Sequence, residues 1–595
     1  MSIRSRGFLT ACALVVAASG LAVAAERRIG TLEIKGTPTE QPATPNPFGG
    51  SARSSLRELT DALRGAAEKD DIGAVLIRLR DAALPLAHTE ELGAAIRSVR
   101  EKGKRVSVFS EGYDTGALLL GSYADEVIIQ NAGPVMLPGL HTEEMYLADM
   151  FAWAGLKADM VQVGDFKGAN EQMTRNAPSP EWNQNIDQLL DGLYANVRTQ
   201  LMQGRRLDDA RLDQAMKLTW MGDSDDAVKS GLVDTALDLP ALNTHLAAKA
   251  ELESQRSVSL LRRDSEIDLA TANPFTLFAQ LMKPASREIT RETIAVLHIN
   301  GAIVDGKSTR GFTGESNVGS RTIRNAIEDI RDEDLIKGVV VRIDSPGGSA
   351  IASEVIWQGL RRLAEKKPVW ISVGNMAASG GYYIASAGSR IYLNPSSIVG
   401  SIGVVGGKIS MGGLYDHLKV RVHTRSRGPL AGMFDSTSPW SADQVALVRD
   451  RMTQTFDLFK DRVRQGRPGI DLSKTAGGWL FTGPRAVELK MADEIGGLHD
   501  AITDLAASVS LTEYDVADFP PPPSFADLLE ESFGTVGAPV ASVLASSRLS
   551  GEIAALVRFT VGERVWPQVA QAMNGLEQLR KEPVLLMHPS VLIVR

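Results

Sequence analysis

Ser379 stands in the run Met376-Ala377-Ala378-Ser379-Gly380-Gly381-Tyr382, a hydroxyl residue bracketed by two alanines and two glycines. A serine ahead of a helix is ordinarily an N-cap. Here the small neighbours on both sides also clear room for a second group to reach its oxygen. Earlier in the chain, Asp344-Ser345-Pro346-Gly347-Gly348-Ser349 follows the apolar, strand-length run Gly338–Ile343. Glycines at a strand-to-helix turn let backbone approach a ligand and turn N–H groups toward it. Two such junctions at one sheet edge can place two donors around a serine oxygen. That is a nucleophile with an oxyanion hole, for which Gly380 N–H and Gly348 N–H are the expected donors.

A serine hydroxyl is a poor nucleophile without a base. The first histidines after Ser379 are His417 and His423, in charged or strand-like surroundings with no acid at an obvious third position. Lys167 offers an alternative in Val163-Gly164-Asp165-Phe166-Lys167-Gly168-Ala169-Asn170, between an aromatic and a glycine after an apolar strand. A loop lysine is normally a solvated charge. What singles this one out emerges when the chain is compared with itself.

The sequence is duplicated. Ile29–Gly36 matches Ile294–Gly301, and 72–130 runs against 336–394 without a gap, pairing Ile72 with Ile336, Val75 with Val339, Arg78 with Arg342 and Gly116 with Gly380. Each copy reads as strand, loop, helix, strand, helix, strand. In the second copy these are Gly338–Ile343, a helix with Ala352, Val355, Ile356, Leu360 and Leu363 on one face, Val369–Val373, Ser379–Ala387 and Arg390–Leu393. Longer helices are expected over about 181–204 and 441–466. Continuous apolar strands alternating with amphipathic helices predict an α/β fold, mostly parallel sheets flanked by helices.

The copies differ where chemistry would sit. The first has Arg80–Pro85, without glycine, in place of the glycine turn, and Thr115-Gly116 in place of Ser379-Gly380. The second has no lysine over Thr424–Asp435, the stretch corresponding to Lys167. One copy has the serine and the other the lysine. A Ser–Lys dyad is a variant of the serine-hydrolase scheme, and it requires burial to keep the lysine neutral.

Composition fits a large, globular, mildly acidic chain of several folding units. The chain has 595 residues, 64 Lys+Arg against 72 Asp+Glu, a net charge of −8 and 44% apolar residues. That balance argues against a nucleic-acid binder. The single cysteine, Cys12, excludes a disulfide framework and a Cys-rich metal site, and eight scattered histidines form no HExxH pair. No metal and no cofactor is expected. Residues 1–25 read as a signal peptide or N-terminal membrane anchor: basic Arg4 and Arg6, the apolar run Gly7–Ala25, and Ala22-Val23-Ala24 as a cleavage pattern. The expected divisions are 26–256 for the copy supplying the lysine, 257–291 for a connector, 292–510 for the copy supplying the serine, and 511–595 for a tail. The tail opens with the polyproline break Phe519–Pro523 and carries an amphipathic helical pattern over Ser547–Phe559.

Over about 29–510 these residues resemble the bacterial signal peptide peptidase A, or protease IV, family in its long tandem form. The motifs that carry the resemblance are Ser345–Ser349, Ala377–Tyr382, Gly400-Ser401-Ile402-Gly403 and Gly164–Lys167. The resemblance implies tandem ClpP/crotonase-like domains and a Ser/Lys protease with Ser379 as nucleophile and Lys167 as general base. It also implies that Ser401 orients the lysine. It further implies a homo-oligomeric, tetrameric, dome-like assembly on the periplasmic side of the inner membrane, cleaving released signal peptides and other short apolar peptides. Two features depart from the family pattern. Gly168-Ala169-Asn170-Glu171-Gln172 stands where Ser-Ala-x-Glu-Pro usually follows the lysine, and the amino-terminal segment looks more like an export signal than the longer family anchor. The competing readings are a crotonase-like acyl-CoA enzyme and a catalytically inactive membrane-associated scaffold. The export segment, and the lack of a strong acid/base carboxylate near the glycines, weigh against the acyl-CoA enzyme.

Overall fold

The computed structural model describes residues 27–42, 53–261, 289–310 and 316–521, and the backbone of 584–587. The export segment with Cys12, most of the expected connector and the Ser547–Phe559 pattern lie outside the described residues.

Each copy builds one mainly parallel sheet. In the first, β1 (Arg28–Lys35), β2 (Ile72–Arg80), β3 (Arg105–Ser110), β4 (Glu126–Ile129), β6 (Thr235–Ala236) and β7 (Ser257–Ser259) stand in the order β6-β4-β3-β2-β1-β7, all parallel. In the second, β8 (Thr293–Asn300), β12 (Ile336–Ser345), β14 (Val369–Ala378), β16 (Ile398–Gly400), β18 (Leu480–Thr482) and β20 (Asp515–Phe519) run β18-β16-β14-β12-β8-β20. There β15 (Arg390–Leu393) branches from β14 and carries β19 (Glu494–Ile495). The equivalent central strands β2 and β12 are covered on both faces, as their continuous apolar runs require: Val339, Val340, Val341 and Ile343 are all buried. The helix Ala350–Ala364 buries Ala352, Ile356, Leu360 and Leu363 of the face its periodicity marked, while Val355 is half-buried. Two long helices, Pro180–Arg205 and Ala442–Gly466, follow in the corresponding places.

Two boundaries move relative to the sequence reading. Ser257–Ser259, expected in the connector, pairs with β1, and Asp515–Phe519, expected in the tail, pairs with β8. Both are short edge strands whose partners are distant in sequence, so local periodicity does not mark them.

A third sheet was not anticipated. It joins β5 (Lys157–Val163) of the first copy to β17 (Val404–Ser410), β13 (Gly347–Ser349), β9 (Ala302–Val304), β11 (Ser316–Gly319) and β10 (Thr309–Arg310) of the second. Here β5 and β17 are antiparallel from Val163↔Val404 to Lys157↔Ser410. The strand β21 (Val584–Met587) lies between β13 and β17. This sheet carries the end of β5, and with it Lys167, across to the serine-bearing copy.

Candidate active site

β14 ends at Ala378 and a helix starts at Gly380, leaving Ser379 between them with φ 54° and ψ −112°. That left-handed backbone costs a non-glycine residue of order 1–3 kcal/mol. It is held by Ser379 N–H donating to Gly400 O at 2.8 Å and by Tyr383 N–H donating to Ser379 O at 2.8 Å. Ser379 occupies the N-cap position but its side chain makes no capping bond. Ser349, by contrast, caps its own helix, Ala350–Ala364, its Oγ accepting from Ala352 N–H at 3.1 Å. Ser379 is completely buried, and its Oγ is 2.7 Å from Lys167 Nζ.

Lys167 is brought there by strand pairing and by a close backbone approach. Beyond Val163 the chain turns through Gly164, and Phe166 N–H donates to Gly477 O at 2.8 Å. The Phe166 ring stacks on Trp479 with centroids 3.7 Å apart. At Gly478 φ is +106°, and a Cβ there would come 2.3 Å from Lys167 N, so only glycine lets the two loops pass. Asn185 ties them together: its Nδ2 donates to Phe166 O and Gly478 O at 3.0 and 3.1 Å, and its Oδ1 accepts from Leu480 N–H at 2.9 Å.

The lysine is 1% exposed, and burial alone pushes its pKa well below the ordinary ammonium value. Its Nζ also lies 2.7 Å from Ser401 Oγ and 2.9 Å from Ser401 O. Ser401, like Ser379, sits at positive φ (53°) and is buried; its N–H donates to Trp479 O at 2.6 Å. A neutral amine whose two N–H bonds are directed at Ser401 Oγ and O has its lone pair left for Ser379 Oγ. Such an arrangement can accept a proton from the hydroxyl and return it.

The glycine-rich turn borders the same place. Ser345 pairs with Ala377, two residues before Ser379. Gly348 adopts φ +154°, and a Cβ on it would meet Ile303 O at 2.0 Å. Gly380 N–H belongs to the residue after the serine and opens the helix. The backbone of β21 runs antiparallel past this turn, Leu586 opposite Gly348, and Leu585 opposite both Ser349 and Val405.

Ser379, Lys167 and Ser401 therefore converge from separate segments, and Gly380 and the Gly348 turn stand beside them. Glu171, four residues after the lysine, has a structural role. Its oxygens accept from Ser179 N–H at 2.6 Å and Ser179 Oγ at 2.5 Å, fixing the start of the long helix. Sequence reasoning missed Asn185 and Gly477–Trp479. Asn185 had a signal: it is a polar residue among the buried positions Trp182, Ile186, Leu189 and Leu193 of one helix face. It also overlooked Asp344 as a carboxylate near the glycines, although both its oxygens accept hydrogen bonds, from Met376 N–H at 3.0 Å and Asn375 Nδ2 at 2.9 Å. Among the described residues no helix is long and apolar enough to cross a membrane.

The family model for peptidase family S49 matches residues 98–253 and 361–512. The chain is 28% identical to Protease 4 of Salmonella typhi over 517 residues, covering 84% of this chain and 81% of that protein. It is 29% identical to Protease 4 of Haemophilus influenzae, covering 69% of this chain and 66% of the relative. It is 25% identical to the chloroplastic serine protease SPPA of Arabidopsis thaliana, covering 75% of this chain and 65% of that one.

Proposed function

Because the chain belongs to peptidase family S49, we propose that it is a serine endopeptidase that cleaves extended apolar peptides, with Ser379 as nucleophile and Lys167 as general base. The observation that carries this reading is the 2.7 Å approach of a fully buried lysine, its pKa lowered by burial, to a fully buried serine.

Neutral Lys167 takes the Ser379 proton as Oγ attacks the scissile carbonyl, forming the C–O bond and moving the carbonyl electron pair onto oxygen. Gly380 and Gly348 N–H groups hold that oxyanion. The Lys167 ammonium then protonates the departing amine as the C–N bond breaks. Lysine, neutral again, draws a proton from water as its oxygen attacks the acyl carbon, and returns that proton to Ser379 Oγ as the C–Oγ bond breaks. Ser401 Oγ and O keep Nζ pointed at the hydroxyl throughout.

The peptide binds as an added strand in the slot between β13 and β17. The chain's own Val584–Met587 backbone in that slot supports this reading. Main-chain pairing of this kind selects extended peptides regardless of sequence, and side-chain pockets add preference. Released signal peptides are substrates of this chemistry. On the export segment we place the enzyme on the periplasmic side of the inner membrane, and on the family resemblance we read it as a homo-oligomer.

The test is hydrolysis of a fluorogenic apolar peptide by the full chain and by Ser379→Ala and Lys167→Ala. Each variant should lose about 10³-fold or more in kcat. Parental turnover in either folded variant contradicts the assignment.

A further inference from the structure

The first copy touches the serine-bearing copy at a second place, behind the nucleophile strand. Between Ile343↔Val373 and Ser345↔Ala377 the β12–β14 register breaks: three residues, Gly374, Asn375 and Met376, stand opposite Asp344 alone. The Asp344 side chain spans the break. Its Oδ1 accepts from Met376 N–H at 3.0 Å and its Oδ2 from Asn375 Nδ2 at 2.9 Å, so a carboxylate stands in for the missing backbone acceptor. One residue further along each strand the functional segments begin: the Ser345–Gly348 turn on β12, and Ala377-Ala378-Ser379 on β14.

Two buried residues of the first copy close over this bulge. Glu40 follows β1, and His88 lies on the helix Leu86–Glu101. His88 Nε2 is 2.8 Å from Glu40 Oε1 and 3.2 Å from Asn375 Nδ2. Arg342, two residues before Asp344, donates to Glu40 through Nε at 2.8 Å and Nη2 at 3.1 Å, and its Nη2 is 2.7 Å from Glu91. Glu40, His88 and Asp344 present ligand atoms close enough to hold a metal ion. The Arg342 guanidinium already occupies the cation's place against Glu40, so the cluster reads as an ion-pair and proton network.

We propose that Asp344 is a positioning residue for the peptidase reaction, its ionised carboxylate setting the offset between the oxyanion turn and the Ser379 strand, with the buried Glu40–His88 pair of the first copy setting the charge environment of that carboxylate. The inference rests on the assignment of Ser379 as nucleophile. Both Asp344 oxygens face donors, so a proton on either turns an acceptor into an O–H aimed at an N–H, and one of the two bonds is lost. The charged groups facing Asp344 are Glu40 and His88 from the first copy and Arg342 on its own strand, with Glu91 beyond Arg342. Burial, with Glu40 beside it, pushes the Asp344 carboxyl up to about 6, while His88 and Arg342 pull the other way. Its protonated fraction therefore grows as pH falls through about 6.

The experiment compares pH profiles of peptide hydrolysis for the full-length parent, Asp344→Asn, the swap Asp344→Asn/Asn375→Asp, and His88→Gln, with Ser379→Ala alongside. Asp344→Asn sets an amide N–H against a donor. It should lower kcat about tenfold, the scale of one lost buried hydrogen bond, with KM within about twofold of the parent on the same scale. The swap restores the donor–acceptor order and should recover kcat. His88→Gln removes a positive charge and should move the acid limb to higher pH. A folded Asp344→Asn with parental kcat and profile overturns the inference. If that variant fails to fold, an acid limb unmoved by His88→Gln does so. Hydrolysis surviving in Ser379→Ala overturns the nucleophile assignment and this inference with it, whereas Ser379-dependent hydrolysis indifferent to Asp344 and His88 overturns this inference alone.

Discussion

Lys167 Nζ lies 2.7 Å from Ser379 Oγ although the two residues belong to different copies of an internal repeat. The antiparallel pairing of β5 with β17 spans the copies and fixes the distance. Neither copy holds the pair alone, so a duplication has been divided into a half that carries the hydroxyl and a half that carries the amine.

Burial of the lysine has a cost that should be visible in stability. With its folded pKa below its unfolded one, the unfolded chain binds the extra proton across the interval between them, so stability rises with pH through that interval. Lys167→Met removes the charge at similar length. The variant should melt a few degrees higher than the parent at pH 6, on the scale of about 2–4 °C per kcal/mol, with the gap narrowing toward pH 10. Parallel melting curves at every pH would contradict burial of a neutral amine.

Ser401→Ala removes one of the two Ser401 contacts to Nζ and leaves the carbonyl. The loss should be about tenfold in kcat with KM nearly unchanged, because the bond orients the base and does not hold peptide. A rise in KM at constant kcat would place Ser401 in peptide binding.

At Gly478 an alanine meets both a positive φ and backbone 2.3 Å away. Gly478→Ala should lower the melting temperature and reduce kcat more than about tenfold, since the added Cβ presses on the Phe166–Lys167 backbone that sets Nζ against Ser379. Parental activity in this variant would mean the two loops do not set the lysine.

The chain's own strand Val584–Met587 takes the slot assigned to peptide. A chain ending at Glu582 should show a lower KM for added peptide, because the binding-competent fraction rises when the resident strand is gone. The synthetic segment Val584–Met587 should compete with substrate. An unchanged KM and no competition would put peptide elsewhere.

Much of this was legible before the structure. The serine, the glycine turn and the lysine stood out because each breaks the likeness between the copies, and the alternating apolar strands and amphipathic helices are local patterns that survive into the sheets. What was not legible depends on contacts between distant segments. The β5–β17 pairing, the Asn185 bonds to Phe166 and Gly478, and the edge strands Ser257–Ser259 and Asp515–Phe519 have no local period. Asp344 was passed over because a register break is a property of two strands and cannot be seen in one.

The central claim is that Lys167 activates Ser379. Labelling by a fluorophosphonate serine probe, followed by peptide mapping in the parent, Ser379→Ala and Lys167→Met, tests it most directly. The account predicts label on Ser379 in the parent at a rate that rises with pH, no label in Ser379→Ala, and labelling slowed about 10²-fold or more in folded Lys167→Met. Label on Ser379 at the parental rate in Lys167→Met would contradict it.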